Sequence, residues 1–282
     1  MAVKLVIESS SDIDSVGAEK LGITMLPIPI TFGEEEFLDG VDITCDQFYD
    51  KLIKSVDLPK TSMINSYRFE EIFQKHVHNG DEVVAIVLSS RLSGTCNAAK
   101  NAADNFKGKV FVVDSLSATA GIKLLVEYAL ILILDGKSAE EVYELLEEKK
   151  HKIQIRAMVD TLKFLKKGGR ISPLVAFAGE LMGIKPMVAV IDGKVEVVGK
   201  VIGLKKAINY INAEIEKTGG IDFNMPFYTI YSGNDQTKID NYISDNAKIW
   251  ECGVEKVRKN CIGATIGTHV GPGAIGIAFF SK

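Results

Sequence analysis

Three apolar runs in the first half of the chain each end in hydroxyl or acidic side chains, and a helical pattern follows each of them. They read "VKLVIESSSDI" from residue 3, "VVAIVLSSRLSGT" from residue 83 and "KVFVVDSLSATAG" from residue 109. Apolar runs without alternation are typical of strands covered on both faces, and their alternation with helical segments such as "RFEEIFQKHV" indicates a parallel, doubly wound sheet. Because ligands of such sheets bind beyond the carboxyl ends of the strands, the three polar loops predict one shared polar site.

The hydropathy pattern changes after the charged helical segment "SAEEVYELLEEKKHKI", which begins at residue 138. Downstream, "MVAVIDGKVEVVG" predicts a hairpin that turns at Asp192-Gly193, and "LKKAINYINAEIEKT" predicts a helix. "PFYTIYSGND" predicts a strand, and "CIGATIGTHVGPGAIGIAFF" predicts a strand pair joined by a glycine-rich turn. We therefore expect an α/β parallel-sheet domain over residues 1–156 and a mixed-sheet α+β domain over residues 157–282.

The bulk composition excludes several classes of protein. The length of 282 residues favours two domains, and the net charge of -4 gives no overall attraction to nucleic acid, so no such partner is expected. The most apolar window, Leu124–Leu134, is far shorter than the roughly 20 residues of a membrane-spanning helix and is interpreted as a buried helix. With no signal-peptide pattern at the start, we expect a cytoplasmic protein without an integral membrane segment.

Cysteine and histidine spacing give no sign of a metal site. The four cysteines, at positions 45, 96, 252 and 261, form no CxxC pair, and no second histidine or carboxylate stands at ligand spacing from His269. We expect neither a metal nor a cofactor, and we interpret all four cysteines as reduced, mostly buried thiols.

Two hydroxyl clusters precede predicted helices. Thr61 and Ser62 of "PKTSMINS" stand before the helical run that starts at Tyr67, where they are either turn or cap residues or donors to a carboxylate. In "SSRLSGT", Ser93 lacks the preceding glycine of a nucleophile elbow, and the segment is not a phosphate-binding P-loop. Ser93 is therefore either a helix cap or a ligand-binding hydroxyl, and the strand-to-helix position suits an anion.

Two glycine-rich segments of the second half carry candidate charged or titratable ligands. In "DTLKFLKKGGRIS", from residue 160, a lysine-rich helix ends at Gly168-Gly169 and Arg170 follows directly, where its guanidinium could pair with a carboxylate or phosphate. In "GTHVGPGAIG", His269 is surrounded by residues that permit close backbone approach, and it can donate to an anion in either protonation state.

Taken together and in this order, "PKTS", "SSRLSGT", "DTLKFLKKGGRIS" and "GTHVGPGAIG" resemble the motifs of the DegV family of bacterial fatty-acid-binding proteins, over essentially the whole chain. The resemblance implies an N-terminal three-layer α/β/α domain with a parallel sheet, a C-terminal two-layer α+β domain with a mixed sheet, and a long-chain fatty acid between them. Some members are the acyl-carrying subunit of a fatty acid kinase, so an ATP-dependent kinase partner is implied as well.

The resemblance also implies the site residues. In the family, hydroxyls of the TS and SGT motifs hold the carboxylate, with the histidine of GTH and the arginine of GGR close by. The matching positions are Thr61, Ser93, His269 and Arg170, with the fatty-acid tail in an apolar slot and no residue of this chain expected to be catalytic. Neighbouring positions of the same motifs complete the expected ligand-binding set, namely Ser62, Gly94, Thr95 and Thr268.

The chain departs from the family pattern in three places. The segment "MIN" from residue 63 replaces a usual Gln-Pro, Cys96 replaces a frequent tyrosine, and Ile202 and Leu204 replace basic residues near the "KKA" helix. The last change removes a cation expected near the head group of a kinase substrate, for which Lys200 or Lys205 could substitute. Slot shape, and hence the preferred acyl chain, is expected to depend on side chains such as Met63 and Phe177.

Two other hypotheses come from different functional classes. The first is an acyl-transfer or esterase-type enzyme with Ser93 as nucleophile and His269 as base, although no aspartate is evident to orient the histidine. The second is a regulatory or nucleic-acid-binding protein, which fits the net charge poorly and would use the basic residues Lys163, Lys166, Lys167 and Arg170.

Overall fold

The computed structural model describes residues 2–172 and 183–282. The strands in these ranges are β1 Val3–Glu8, β2 Thr24–Leu26, β3 Pro29–Phe32, β4 Glu35–Leu38, β5 Lys60–Thr61, β6 Glu82–Val87, β7 Val110–Asp114, β8 Ile153–Met158, β9 Ile184–Ile191, β10 Lys194–Ile202, β11 Phe227–Tyr231, β12 Lys259–Cys261 and β13 Ile275–Phe280. The helices are α1 Ser15–Leu21, α2 Cys45–Lys54, α3 Ser66–His78, α4 Thr95–Ala103, α5 Ala120–Leu134, α6 Ala139–Lys149, α7 Lys163–Lys167, α8 Leu204–Lys217, α9 Thr237–Asp245 and α10 Ala264–Val270.

The first sheet is parallel and has the strand order β2-β1-β6-β7. It confirms the prediction from the three apolar runs, which form β1, β6 and β7. Alternate residues of β6 face opposite sides: Val83 and Ala85 pack with the core of α3 and α4, whereas Val84 and Ile86 pack with the core of α5. Burial on both faces explains why this strand is apolar without alternation.

The second sheet is mixed and has the order β10-β9-β8-β13-β11-β12, with β11 and β12 parallel. The predicted hairpin is confirmed, since Asp192 and Gly193 join β9 to β10 with φ of 47° and 79°, as a type I′ turn requires. Residues of α8 and α9 pack on one face of this sheet, and α5 packs on the other. The buried helix α5 therefore lies between both sheets.

The layers run in the order α3 with α4, parallel sheet, α5 with α6, mixed sheet, and α8 with α9. The predicted α/β fold class, with one parallel and one mixed sheet, is confirmed. The expected boundary at residue 156 falls inside β8, which begins at Ile153, and the division into domains 1–156 and 157–282 stays a prediction.

A small antiparallel sheet of order β4-β3-β5 was not predicted. Its strands are two to four residues long, too short for a clear alternation of apolar and polar positions. The sheet packs with α2 and α10, and β5 carries Thr61.

The prediction for the glycine-rich segment near the C-terminus is wrong. Residues Ala264–Val270 form α10 instead of a turn, and β12 and β13 are not paired because β11 lies between them. A Cβ atom at Gly267 would lie 2.6 Å from Tyr49 Oη and 2.7 Å from Phe48 Cε1. This glycine therefore serves the close packing of α10 on α2 and not a turn.

The expectation that all four cysteines are reduced is wrong for one pair. Cys45, the first residue of α2, forms a disulfide with Cys261, the last residue of β12, across 216 positions of sequence. The fold brings together two residues whose spacing gave no signal. Cys96 is a buried free thiol and Cys252 is a partly exposed one.

Within the two described ranges, no helix is long and apolar enough to cross a membrane. The same residues contain no group of three or more histidine, cysteine, aspartate or glutamate side chains that could hold a metal ion.

Candidate functional site

The hydroxyl of Thr61 meets the ring of His269 across 208 positions of sequence. Thr61 Oγ1 and His269 Nε2 are 3.1 Å apart, because β5 lies beside the last turn of α10. Neither Thr61 nor Ser62 caps the helix that follows, since Asn65 is the N-cap of α3. Neither hydroxyl therefore has the helix-capping role that the sequence left open.

Ser93 lies in the turn before α4. Its Oγ accepts a hydrogen bond from the backbone N–H of Thr95 (3.2 Å) and lies 3.0 Å from Thr95 Oγ1. Thr95 itself is fully buried. A Cβ atom at Gly94 would lie 2.6 Å from Met63 Sδ, so this glycine lets the "TSM" segment pack on the "SGT" turn.

The ring of His269 sits against the backbone at the end of α7. A Cβ atom at Gly168 would lie only 2.2 Å from His269 Nδ1, a buried nitrogen that has no hydrogen-bond partner among the described residues. Burial and the charge of Arg170 lower the pKa of His269 from 6.5 to about 4. The imidazole is therefore neutral at pH 7.

Arg170 leaves the end of α7 through Gly169, whose φ of 70° suits glycine. Its Nε donates to the carbonyl oxygen of Leu92 (3.2 Å), and its Nη1 donates to that of Gly168 (2.5 Å). Burial lowers the pKa of the guanidinium, and no ion pair within the described ranges balances its charge. Arg170 is thus a half-buried cation that binds two carbonyls and retains capacity for an anion.

Two adjoining cavities meet at these side chains. The first, the apolar cavity, has a volume of about 300 Å³ and apolar walls from Ile28, Leu88, Leu92, Leu165, Val195, Ile266 and Val270. The second, the polar cleft, has a volume of about 890 Å³ and includes Lys60, Lys167 and Asp57. Four residues line both of them and are called the head-group cluster: Thr61, Ser62, Arg170 and His269.

The remaining predicted site residues lie around this cluster. Ser93 and Gly94 line the apolar cavity, and Thr268 lines the polar cleft. Thr268 Oγ1 donates to the carbonyl of Ala264 in its own helix (2.9 Å), while Thr95 lies behind Ser93. The Thr268 hydroxyl is therefore bonded within its own helix, and the Thr95 hydroxyl contacts Ser93.

Sequence reasoning missed two buried carboxylates that hold the start of α10. Asp39 accepts hydrogen bonds from Thr265 N (3.1 Å) and Thr265 Oγ1 (2.5 Å), and Asp12 accepts one from Gly263 N (2.9 Å). Burial raises the pKa of Asp39, and it raises the pKa of Asp12 to about 7. No local pattern could have identified them, because α10 itself was predicted as a turn.

The positions that depart from the family pattern are scattered. Met63 is 57% exposed and lines the apolar cavity, Cys96 is buried in α4, and Ile202 is 67% exposed at the end of β10. Leu204 begins α8 and packs against the core beneath it. Phe177 lies outside the described residues.

The hydrogen bonds do not form the nucleophile and base pair of the enzyme hypothesis. The Ser93 hydroxyl contacts Thr95, and the His269 Nε2 contacts Thr61. In the described ranges, no hydrogen bond joins Ser93 to His269.

The sequence of this chain matches a known family over nearly its whole length. The model of the DegV family, described as a family of uncharacterised proteins, matches residues 2–282. A DegV domain-containing protein of Deinococcus radiodurans is 30% identical over 282 residues, which cover 99% of this chain and 98% of the relative. Another, from Caldanaerobacter subterraneus subsp. tengcongensis, is 33% identical over 281 residues and 99% of both chains.

Solved structures agree over the full length. A DegV family protein from Thermus thermophilus, described by its fatty acid binding, is 31% identical with a TM-score of 0.87 over 100% of both chains. DegV from Bacillus subtilis, described as a fatty acid binding protein, is 28% identical with a TM-score of 0.84 over 100% of both chains. On these matches, this chain belongs to the DegV family.

Proposed function

We propose that this protein binds a long-chain fatty acid, with the carboxylate at the head-group cluster and the tail in the apolar cavity. The observation that carries the proposal is the meeting of the two cavities at Thr61, Ser62, Arg170 and His269. An amphipathic ligand with one anionic end fits that division between an apolar wall and polar donors. The fatty acids bound by the relatives from Thermus thermophilus and Bacillus subtilis are ligands of this chemistry.

The head group is proposed to accept hydrogen bonds from hydroxyls and from Arg170. Among the described residues, Nδ1 of His269 is buried without a hydrogen-bond partner. An orphaned buried N–H is rarer than an orphaned acceptor, so we assign the proton to Nε2. Nε2–H then donates to Thr61 Oγ1, which leaves the Thr61 hydroxyl proton for the carboxylate. Ser93, on the wall of the apolar cavity, offers a second hydroxyl.

The tail is proposed to supply most of the affinity, since each buried methylene contributes about 0.8 kcal/mol before ordering costs. The apolar walls come from both sides of residue 156, for example Ile28 and Leu88 before it and Leu165 and Val195 after it. The ligand is therefore proposed to lie between a first domain of residues 1–156 and a second of residues 157–282.

The test begins with organic extraction of the purified protein and identification of what dissociates, followed by titration of the delipidated protein with palmitate and oleate. Thr61→Ala combined with Ser93→Ala removes two proposed donors, and hydrogen bonds to charged groups are worth about 1.5–3 kcal/mol each. We expect a loss of affinity of at least tenfold. The matched control is Thr237→Ala with Ser244→Ala, two exposed hydroxyls on α9, and equal affinities of the two double variants would refute the placement.

We also propose that the bound carboxylate is presented to an ATP-dependent fatty acid kinase, in the cytoplasm. The head-group cluster lines the polar cleft as well as the apolar cavity, and Lys60 and Lys167 on that cleft would favour an approaching phosphoryl group. A carboxylate oxygen would attack the γ-phosphorus of ATP, and ADP would leave. Incubation with ATP and a kinase subunit should yield acyl phosphate only when both proteins are present; no acyl phosphate from the pair would refute the partnership.

A further inference from the structure

The Cys45–Cys261 disulfide lies just before α10, the helix that carries His269. Both cysteines are partly exposed, and their Cα atoms are 6.8 Å apart. They line a third cavity of about 320 Å³, called the disulfide cavity, together with residues such as Asp39, Lys259 and Gly263. A thiol reagent or a reducing protein therefore has access to the pair.

The disulfide is connected to α10 by a short and well-packed path. Only Ile262 and Gly263 separate Cys261 from the first residue of α10. On the other side, α2 begins at Cys45, and its Tyr49 donates a hydrogen bond from Oη to the carbonyl of Ile262 (2.9 Å). The bond thus joins α2 to the segment that leads into α10.

The same helix carries side chains of the proposed ligand site. Thr265 and Ile266 line the apolar cavity, and His269, in the last turn of α10, belongs to the head-group cluster. Gly267 of α10 is in close contact with α2, so a shift of α2 against α10 changes where the helix sits. A covalent bond that fixes α2 to β12 consequently restrains the position of His269.

We propose that Cys45 and Cys261 form a reversible redox site whose thiol or disulfide state sets the affinity of the head-group cluster through α10. The coupling to affinity rests on the proposed fatty-acid function, whereas the redox chemistry does not. A dithiol reductant transfers two electrons and two protons. Its thiolate attacks one sulfur, which releases the other cysteine as a thiol and forms a mixed disulfide; its second thiol then displaces the remaining cysteine, and the reductant becomes a disulfide itself. In the cytoplasm, where the protein is proposed to act, disulfides are mostly transient or redox-sensing, and that location favours a regulatory bond over a permanent one.

The first readout counts thiols by alkylation and intact-mass spectrometry of the folded full-length protein. Cys96 is buried and its pKa is raised to about 11, so it stays unlabelled, while the partly exposed Cys252 is labelled in both states. We expect one labelled thiol after oxidation with diamide and three after reduction with dithiothreitol. Three labelled thiols after diamide treatment would overturn the proposal, because the pair would then not be cross-linked.

The second readout is affinity for palmitate and oleate in the two states. We expect reduction to weaken binding by about fivefold or more, the lower range of coupling between sites. Cys45→Ser and Cys261→Ser should each bind like the reduced wild type and lose the response, whereas the matched control Cys252→Ser should keep it. A cross-link that forms and is reduced without any change of affinity would overturn the coupling.

Hydrogen exchange separates failure of this proposal from failure of the fatty-acid function. In the protein without ligand, reduction should speed amide exchange over residues 262–270 and leave β6 unchanged as an internal reference. If neither fatty acid binds in either state but this change occurs, the proposed ligand is wrong and the redox effect on α10 stands. Equal exchange over residues 262–270 in both states would overturn the redox effect itself.

Discussion

Replacing Gly168 by alanine tests whether the close contact between α7 and α10 positions the histidine of the head-group cluster. Gly168 has an ordinary φ of -73°, so an alanine there meets no backbone strain. Its Cβ would lie 2.2 Å from His269 Nδ1, whereas ordinary contact begins at 3.4 Å, and the ring must therefore give way by about 1.2 Å. Thr61 lies on the opposite, Nε2 side at 3.1 Å, so the ring cannot retreat in a straight line and must rotate.

The expected magnitudes follow from this geometry. Forcing a methyl group into a packed contact costs about 1–3 kcal/mol of stability. Rotation of the ring also breaks its bond to Thr61 and disturbs the hydroxyl proposed to hold the carboxylate. Since hydrogen bonds to charged groups are worth about 1.5–3 kcal/mol, we expect Gly168→Ala to weaken fatty-acid binding roughly ten- to hundredfold.

The assays are urea unfolding and calorimetric titration of the delipidated protein with palmitate. Gly17→Ala, inside α1 and outside the walls of the apolar cavity and the polar cleft, is the matched control and should retain full affinity. In the background His269→Ala the clash partner is gone, so Gly168→Ala should cost about 1–2 kcal/mol less stability there than in the wild type. Wild-type affinity of Gly168→Ala, or strict additivity with His269→Ala, would refute the reasoning.

Three further predictions concern stability. The pKa of His269 lies near 4 in the folded state against 6.5 in the unfolded state, so its contribution to the free energy of unfolding is complete above pH 6.5 and is lost as the pH falls toward 4. This loss is on the order of 3 kcal/mol and should vanish in His269→Gln. The same pH dependence of urea unfolding in His269→Gln and in the wild type would count against this prediction. Asp12 has the opposite pH dependence. Its pKa is raised from 3.8 to about 7, so its contribution to the free energy of unfolding is complete below pH 3.8 and falls as the pH rises through 7. Asp12→Asn should therefore reduce the change of the unfolding free energy with pH over that interval, measured by urea unfolding. Gly193→Ala places a Cβ 2.3 Å from Ser89 Oγ at a φ of 79° and should cost about 2–5 kcal/mol of stability. Gly203→Ala has a similar φ but open space around its Cβ, and should cost about 1–2 kcal/mol. Equal costs would show that the hairpin is not in close contact with the Ser89 loop.

The parts of the fold that could be predicted are those specified by neighbours in sequence. β1, β6 and β7 are apolar because each is buried in a parallel sheet. The loops that follow them are polar because they lie at the edge where the carboxyl ends of these three strands meet. The turn at Asp192 and Gly193 is a local preference for left-handed backbone. Such signals lie within a dozen residues and need no knowledge of the rest of the chain.

The parts that could not be predicted depend on contacts between distant segments. α10 has a glycine at the middle of its seven residues and was predicted as a turn, yet Gly267 is required by the approach of Tyr49 and Phe48 from α2. The disulfide between Cys45 and Cys261 and the carboxylate of Asp39 at Thr265 have the same character. Each is a pairing across more than 200 positions, and one sequence contains no pattern that joins its two members.

The glycines of the GGR and GTH motifs are explained by each other. Gly168 of the first motif leaves room for the ring of His269 of the second, and a Cβ at Gly271 of the second would lie 2.3 Å from the ring of Phe164, just before the first. Each of the longer segments, residues 160–172 and residues 267–276, thus supplies both a ring and the glycine that receives the other's ring. The two segments form one packing unit of α7 and α10, in which a side chain added at Gly168 displaces His269 and one added at Gly271 displaces Phe164. Their joint occurrence in a sequence is therefore far more specific than either glycine-rich segment alone.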